Sequence, residues 1–180
     1  QQVAEVLKNK NQTISFVSQT PYIYNDTLEN NIFLGLEEKK RDKHLALDLL
    51  GLMGLDILTK EQSELLSLEV GENGKRLSGG QAKRVCLIRS IISGADYLLW
   101  DDPFSSVDLI LEKEIIKRLK SLELMQNKTV VLTSHRLSTV RFSDNIIFLQ
   151  KEEGIIEEGS VKQLLREETK TYEHFKKQMV

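Results

Sequence analysis

Two adjacent carboxylates, Asp101 and Asp102, close the apolar run Tyr97-Leu98-Leu99-Trp100. Carboxylates at the end of a buried strand are a common way to hold Mg²⁺ beside a nucleotide. The carboxyl end of a strand is also where α/β sheets place ligand chemistry. Upstream lies Leu77-Ser78-Gly79-Gly80-Gln81. A Ser at such a point caps a helix start. Residues without Cβ let the backbone approach a phosphate, and a helix N-terminus favours negative charge. Three further residues sit at element ends: Gln19 after Ile14-Ser15-Phe16-Val17-Ser18, His135 after Thr129-Val130-Val131-Leu132-Thr133, and Asp108 after Ser105-Ser106-Val107. Taken singly, each has a plain structural reading as a capped turn, a helix cap or a solvated histidine.

These residues need elements to position them. Residues 13–18 alternate and are β-branched, which predicts a strand ended by Pro21. Asp26 is the candidate cap of a short helix beginning at Thr27. Leu45, Leu49 and Leu52 recur at helical spacing between Lys40 and Met53. Residues 54–75 read as a short helix and loops, and Ser78 opens a helix to about Ser93 with Val85, Ile88 and Ile92 on its apolar side. The second half alternates: a strand at 97–101, an amphipathic helix from Asp108 to about Leu124 through Leu111, Ile115 and Leu119, and a strand at 129–133. The near-continuous apolar character of that last strand predicts a sheet covered on both faces. A hairpin follows, with strands at 145–150 and 155–156, and then a tail of two short charged helices from Ser160 to Val180. Buried strands alternating with helices predict an α/β fold with a parallel sheet. The helical stretch from Thr27 to about Leu66 predicts a helical subdomain inserted in that core.

Composition narrows the function classes. The chain has 180 residues, 40% hydrophobic and 29% charged, with net charge −2. That balance gives no general attraction to nucleic acid or an anionic membrane. The single Cys86 excludes an internal disulfide and fits a reducing compartment, and its apolar neighbours suggest a buried, inert thiol. No apolar run is long enough to span a bilayer, and residues 1–5 do not read as a signal peptide.

Together, in this order, the motifs resemble the ATP-binding cassette (ABC) family of ATPases, over about Thr13 to Gly159. The resemblance implies a P-loop NTPase, RecA-like parallel core with an inserted helical subdomain, ATP and Mg²⁺ as ligands, and one partial domain. Within it, residues 1–26 would carry the core strand and Q-loop, 27–93 the helical subdomain with the signature, and 94–180 the C-terminal core. Ser78, Gly79, Gly80 and Gln81 resemble the signature sequence, which contacts the γ-phosphate of ATP held by the opposite domain of a dimer. Asp101 resembles the Walker B aspartate that orders Mg²⁺. Gln19 resembles the Q-loop glutamine that can touch Mg²⁺ and links core to insert. Residues 105–108, with Asp108, resemble the D-loop that crosses the dimer interface. His135 resembles the switch histidine at the γ-phosphate. Tyr22 to Ile32 resembles exporter-type cassettes, whose surface there receives a coupling helix of a transmembrane domain, and Glu69 to Gly74 resembles their acidic segment nearby. His44 and His174 receive no role.

Two departures matter. The family's usual residue after the Walker B aspartate is Glu, the general base; Asp102 is one methylene, about 1.5 Å, shorter, and base catalysis is geometric first. The expectation is a slow or inactive hydrolytic site. Second, Gly-x-x-x-x-Gly-Lys-Ser/Thr occurs nowhere: the Gly74-Lys75 pair is followed by Arg76, and Glu stands at 69. The expected partners are therefore a missing N-terminal P-loop segment, a second cassette in a homo- or heterodimer, and a transmembrane domain that holds the chain at the cytoplasmic face of a membrane. Without the segment, sheet edges and apolar surface would be open, and the chain would aggregate or pair. A non-hydrolysing regulatory module and a soluble ABC ATPase remain the alternatives.

Overall fold

Three parallel strands carry the residues singled out above. In the computed structural model, which describes residues 12–179, β1 (Ile14–Val17), β2 (Tyr97–Asp101) and β3 (Thr129–Thr133) form one sheet in the order β1-β2-β3. The reading of residues 1–5 falls outside the described range. Parallel neighbours need long crossovers. The first contains α1 (Leu28–Ile32), α2 (Lys43–Leu52) and α3 (Gly79–Ile92), and the second contains α4 (Leu109–Ser121). The register sets Trp100 between Val17 and Leu132, and Asp101 opposite Thr133.

Because side chains alternate across a strand, Val17, Leu98 and Trp100 share one face and are buried there. Helix α3 packs against β1 and β2, and the Trp100 indole N–H donates to the Ser90 hydroxyl at 3.0 Å. That bond removes the cost of burying the indole's polar end. The opposite face corrects the expectation of a doubly covered sheet. Phe16 is 65% exposed and Val131 55%, in one row with half-buried Leu99. An apolar strand records what the chain can bury; the described elements leave this face half open.

Helix starts follow cap chemistry, with small shifts. Thr27, not Asp26, caps α1, its hydroxyl accepting from Asn30 N at 3.2 Å. Asp26 braces the turn, accepting from Thr27 N and Asn30 Nδ2. These bonds hold its carboxyl below the usual range, Asn30's contribution being the largest. Helix α2 starts at Lys43 behind the Asp42 cap, because Lys40 belongs to a separate 3-10 turn. Its buried residues are Ala46, Leu49 and Leu50, so the expected Leu45 and Leu52 lie at the margins of its core face. Residues 54–75 form 3-10 turns and loops.

The chain divides into two units after Thr133. In the second, β4 (Asn145–Gln150) and β5 (Gly154–Ser160) form the expected antiparallel hairpin. Short helices α5 (Leu137–Val140), α6 (Val161–Leu164) and α7 (Lys170–Phe175) accompany it. Leu137, Val140 and Phe175 make its core, with Ile146, Leu165 and Met179 packed against them. The Glu157 carboxylate on β5 accepts from the Lys170 and Thr171 amides and the Thr171 hydroxyl, tying the tail to the hairpin.

Candidate functional site

Asp101 is the last residue of the central strand. Register brings Thr133 opposite it, and the Thr133 hydroxyl donates to Asp101 Oδ1 at 2.7 Å. The same hydroxyl accepts from the Asp102 amide at 2.9 Å. One threonine therefore orients both the strand-end carboxylate and the backbone after it. At Asp102 the chain turns with φ = 46°. This left-handed conformation costs a side-chain residue about 1 kcal/mol, and Asp is among the residues that tolerate it best. The turn closes when the Ser105 amide and hydroxyl both donate to the Asp102 carbonyl. The loop ends at Asp108, whose Oδ1 accepts from Ile110 N and Leu111 N and caps α4.

Lys83 joins this end of the sheet from α3. Its side chain is 2% exposed. Nζ donates to the carbonyls of Ser18 at 3.0 Å and Asp101 at 3.1 Å, and to that of Gln19. Burial lowers its pKa, while the nearby Asp102 and Asp101 charges pull it back up. The Gln19 side chain lies on an exposed residue.

The start of α3 is a full capping box. Ser78 Oγ accepts from Gln81 N at 3.2 Å, and Gln81 Oε1 accepts from Ser78 N at 2.7 Å. Ser78 and Gly79 are exposed, whereas Gly80 is buried. A Cβ on Gly79 would meet nothing within 4 Å; one on Gly80 would lie 2.3 Å from the Ser106 carbonyl oxygen. The two glycines thus differ in purpose: Gly80 lets the loop after Asp102 pack on the helix start, and Gly79 leaves the first-turn amides open to an anion. Gln81 is committed to the cap, so its side chain holds the helix start in shape.

Helix α3 also anchors the insert. Arg84 Nε donates to the Gly80 carbonyl, and Nη1 to those of Met53 (2.6 Å) and Gly54 (3.3 Å). Arg89 donates to the carbonyls of Asn31 (2.7 Å) and Tyr22 (3.1 Å). Buried Asn31 in turn pairs with both backbone groups of Tyr24. This cross-bracing presents Tyr22 and Tyr24 at the surface, edge to face at 4.7 Å. The acidic segment lies against the same stretch: Val70 N donates to the Asp26 carbonyl, and Thr27 bridges Glu69. Gly74 (φ = 70°) faces Ile23, where a Cβ would come within 3.0 Å. Two motifs far apart in sequence therefore form one surface. Cys86 is buried, and burial raises its pKa, as an inert thiol requires.

His135 opens the second unit. It is exposed, and its carbonyl accepts from Gln178 Nε2, whose amide oxygen also takes the Leu137 N–H.

The first unit thus unites Asp101, Asp102 and the Gln19 backbone at one sheet end, and Gly80 with Ser106 at the helix start. Thr133 and Lys83 are the members that sequence reasoning passed over. Thr133 could have been found by pairing the two strand ends. No local signal in the sequence marks Lys83, which stands beside Arg84 in a helix that also carries Arg89. Among the described residues no group of three or more His, Cys, Asp or Glu could hold a metal. One oriented carboxylate beside another fits Mg²⁺, which keeps most of its water and shares phosphate oxygens with a nucleotide.

Comparison with known proteins agrees with this arrangement. The sequence profile described as "ABC transporter" matches residues 1–105. The ATP-dependent lipid A-core flippase of Methylobacillus flagellatus is 36% identical over 159 residues, 88% of this chain and 27% of that protein. ABC transporter C family member 7 of Dictyostelium discoideum is 34% identical over 152 residues, 84% of this chain and 11% of its own length. A solved bacterial Atm1-family ABC exporter with ATP bound superposes with a TM-score of 0.77 at 26% identity, over 93% of this chain and 28% of that one. The chain spans about a quarter of the flippases it matches. No described helix is long and apolar enough to cross a membrane. The parallel sheet, the capped glycine helix start and these similarities agree: the chain belongs to the ABC transporter family, and its relatives are exporters.

Proposed function

We propose that this chain is part of the nucleotide-binding domain of an ABC exporter and couples ATP binding to movement of a substrate across a membrane. One observation carries the reading: the Asp101 carboxylate at the end of the central strand, oriented by Thr133. In this reading Asp101, with Gln19, holds Mg²⁺, which when bound neutralises charge on the phosphates. The open amides at Gly79 and the Ser78 hydroxyl face the γ-phosphate of a nucleotide bound by a second cassette. Gly80 and Gln81 keep that helix start in shape, and Asp108 fixes the loop at the interface. His135 takes the switch-histidine role on its resemblance to the family motif. The lysine loop that anchors the β- and γ-phosphates comes from a segment other than these 180 residues. Tyr22, Tyr24 and the Glu69–Gly74 segment form the seat for a transmembrane domain, which places the chain at the cytoplasmic face. The division into core, helical insert and C-terminal core follows the same reading.

Asp102 stands where the general base acts. In this reading its side chain, one methylene shorter than Glu, reaches the attacking water less well, so ATP is bound but cleaved slowly. The test compares ATP binding and turnover in the full-length chain. Asp101→Asn is expected to abolish Mg²⁺-dependent ATP binding. Asp102→Glu is expected to raise turnover about ten- to a hundredfold, the scale of an ångström-sized misplacement. No gain from Asp102→Glu, with ATP still bound, would sink the impaired-base assignment. It would favour a non-hydrolysing regulatory cassette, a reading supported by the same Asp.

A further inference from the structure

Among the described residues of this unit, Lys83 is one of three buried charged residues, with Arg84 and Glu112, and its ammonium is held at the end of the sheet. It is among the largest fully buried side chains, its ammonium lies between the carboxyl ends of two neighbouring strands, and each of its three protons has a carbonyl acceptor. Two of those carbonyls, at Ser18 and Gln19, belong to the turn leaving β1. The third belongs to Asp101. An ammonium has three donors and no acceptor. With all three committed, it has none left for a phosphate. A hydrogen-bonded cation buried this deeply is costly to leave unpaired, so its acceptors are held in place as firmly as it is.

We propose that Lys83 is a positioning residue: it fixes the backbone of Gln19 to that of Asp101, setting the distance between the two side chains that would share one Mg²⁺. The inference deepens the nucleotide-site reading above and rests on it for its functional part. Its structural part stands alone. Lys83 acts just beyond the paired strands: the described ladder between β1 and β2 ends at Val17 and Trp100, one residue before Ser18 and Asp101. Beyond that pair, the ammonium joins the two backbones.

The test uses the full-length chain, with any upstream segment its reading frame encodes, and two variants. Lys83→Met keeps the apolar stem and removes every donor; Lys83→Gln keeps two. Amide hydrogen exchange is read without nucleotide. Peptides covering residues 18–21 and 101–105 are expected to exchange about tenfold faster in Lys83→Met and less so in Lys83→Gln, with α2 and the second unit unchanged. Equal exchange in the two variants, no change, or acceleration across the whole chain would each overturn the proposal. The second readout is the Mg²⁺ concentration giving half-maximal ATP turnover. It is expected to rise about tenfold in Lys83→Met, the scale seen when a group behind a metal ligand is removed. ATP binding measured in EDTA should stay unchanged. A fall in metal-free ATP binding with no shift in Mg²⁺ dependence would assign Lys83 to packing alone. A parent chain that binds no ATP would defeat the proposed function, and the exchange experiment would still decide the role of Lys83.

Discussion

Gly79 and Gly80 are adjacent, yet physics asks different things of them. Gly80 has no room for a side chain, because backbone from the loop after β2 occupies that space. Gly80→Ala should cost about 1–3 kcal/mol by overpacking and lower the melting temperature by several degrees. Gly79→Ala meets open space, so the melting temperature should hold while nucleotide-driven association of two cassettes weakens. Thermal denaturation of both variants, with sedimentation in ATP, separates the structural glycine from the functional one. If Gly80→Ala melts like the parent, the close approach to Ser106 is not a constraint. Thr133 makes a related case. It is a strand residue with an ordinary sequence context, and only its register against Asp101 turns its hydroxyl into an orienting group.

Among elements, α3 carries the most. It packs under the sheet, braces the insert through Arg84 and Arg89, and offers its capped start to the surface. Ser78→Ala removes the cap that satisfies Gln81 N and should destabilise the unit by about 1 kcal/mol, measurable by urea denaturation. An unchanged midpoint would mean that water caps the helix as well. In the second unit, β5 and α7 meet through Glu157. Its carboxyl sits below its usual 4.5 because the folded state hydrogen-bonds the charged form, the Thr171 side chain contributing most. A depressed carboxylate stabilises above its unfolded pKa and loses that effect as pH falls through the folded value. The Thr171 amide should therefore stay protected at neutral pH and lose protection as pH drops below about 4.5. Glu157→Gln should show the weakened protection already at pH 7. Exchange monitored by NMR across pH 3–7 checks both, and a pH-independent Thr171 would refute the link.

At the scale of the whole molecule, the half-open sheet face governs behaviour in solution. Phe16, Leu99 and Val131 form an apolar row with Ile14 and Tyr97 beside it. Contiguous apolar surface of this kind drives association. The 180-residue chain should sediment as a concentration-dependent mixture of species, and Phe16→Ser with Val131→Thr should shift it towards monomer. A single monomeric species at high concentration would show that the face is covered. The surface shared by Tyr22, Tyr24 and the acidic segment is another feature of this scale, since it exists only once α1 has folded against residues 66–70.

Much of this was legible in the residues themselves. Local chemistry dictates the capped glycine turn, the apolar strand ending in two carboxylates, the hairpin, and the helices of the insert, because caps, periodicity and turn residues act over a few positions. The motifs follow a fixed order, and this places the chain in its family. Three things needed the tertiary structure: which face of the sheet is covered, which glycine is indispensable, and how Lys83 and Thr133 hold the strand ends. These depend on the pairing of β2 with β1 and β3 and on α3 crossing beneath them. Such contacts join residues from 18 positions apart, as for Lys83 and Asp101, to 65, as for Lys83 and Ser18, and no local pattern encodes their distance.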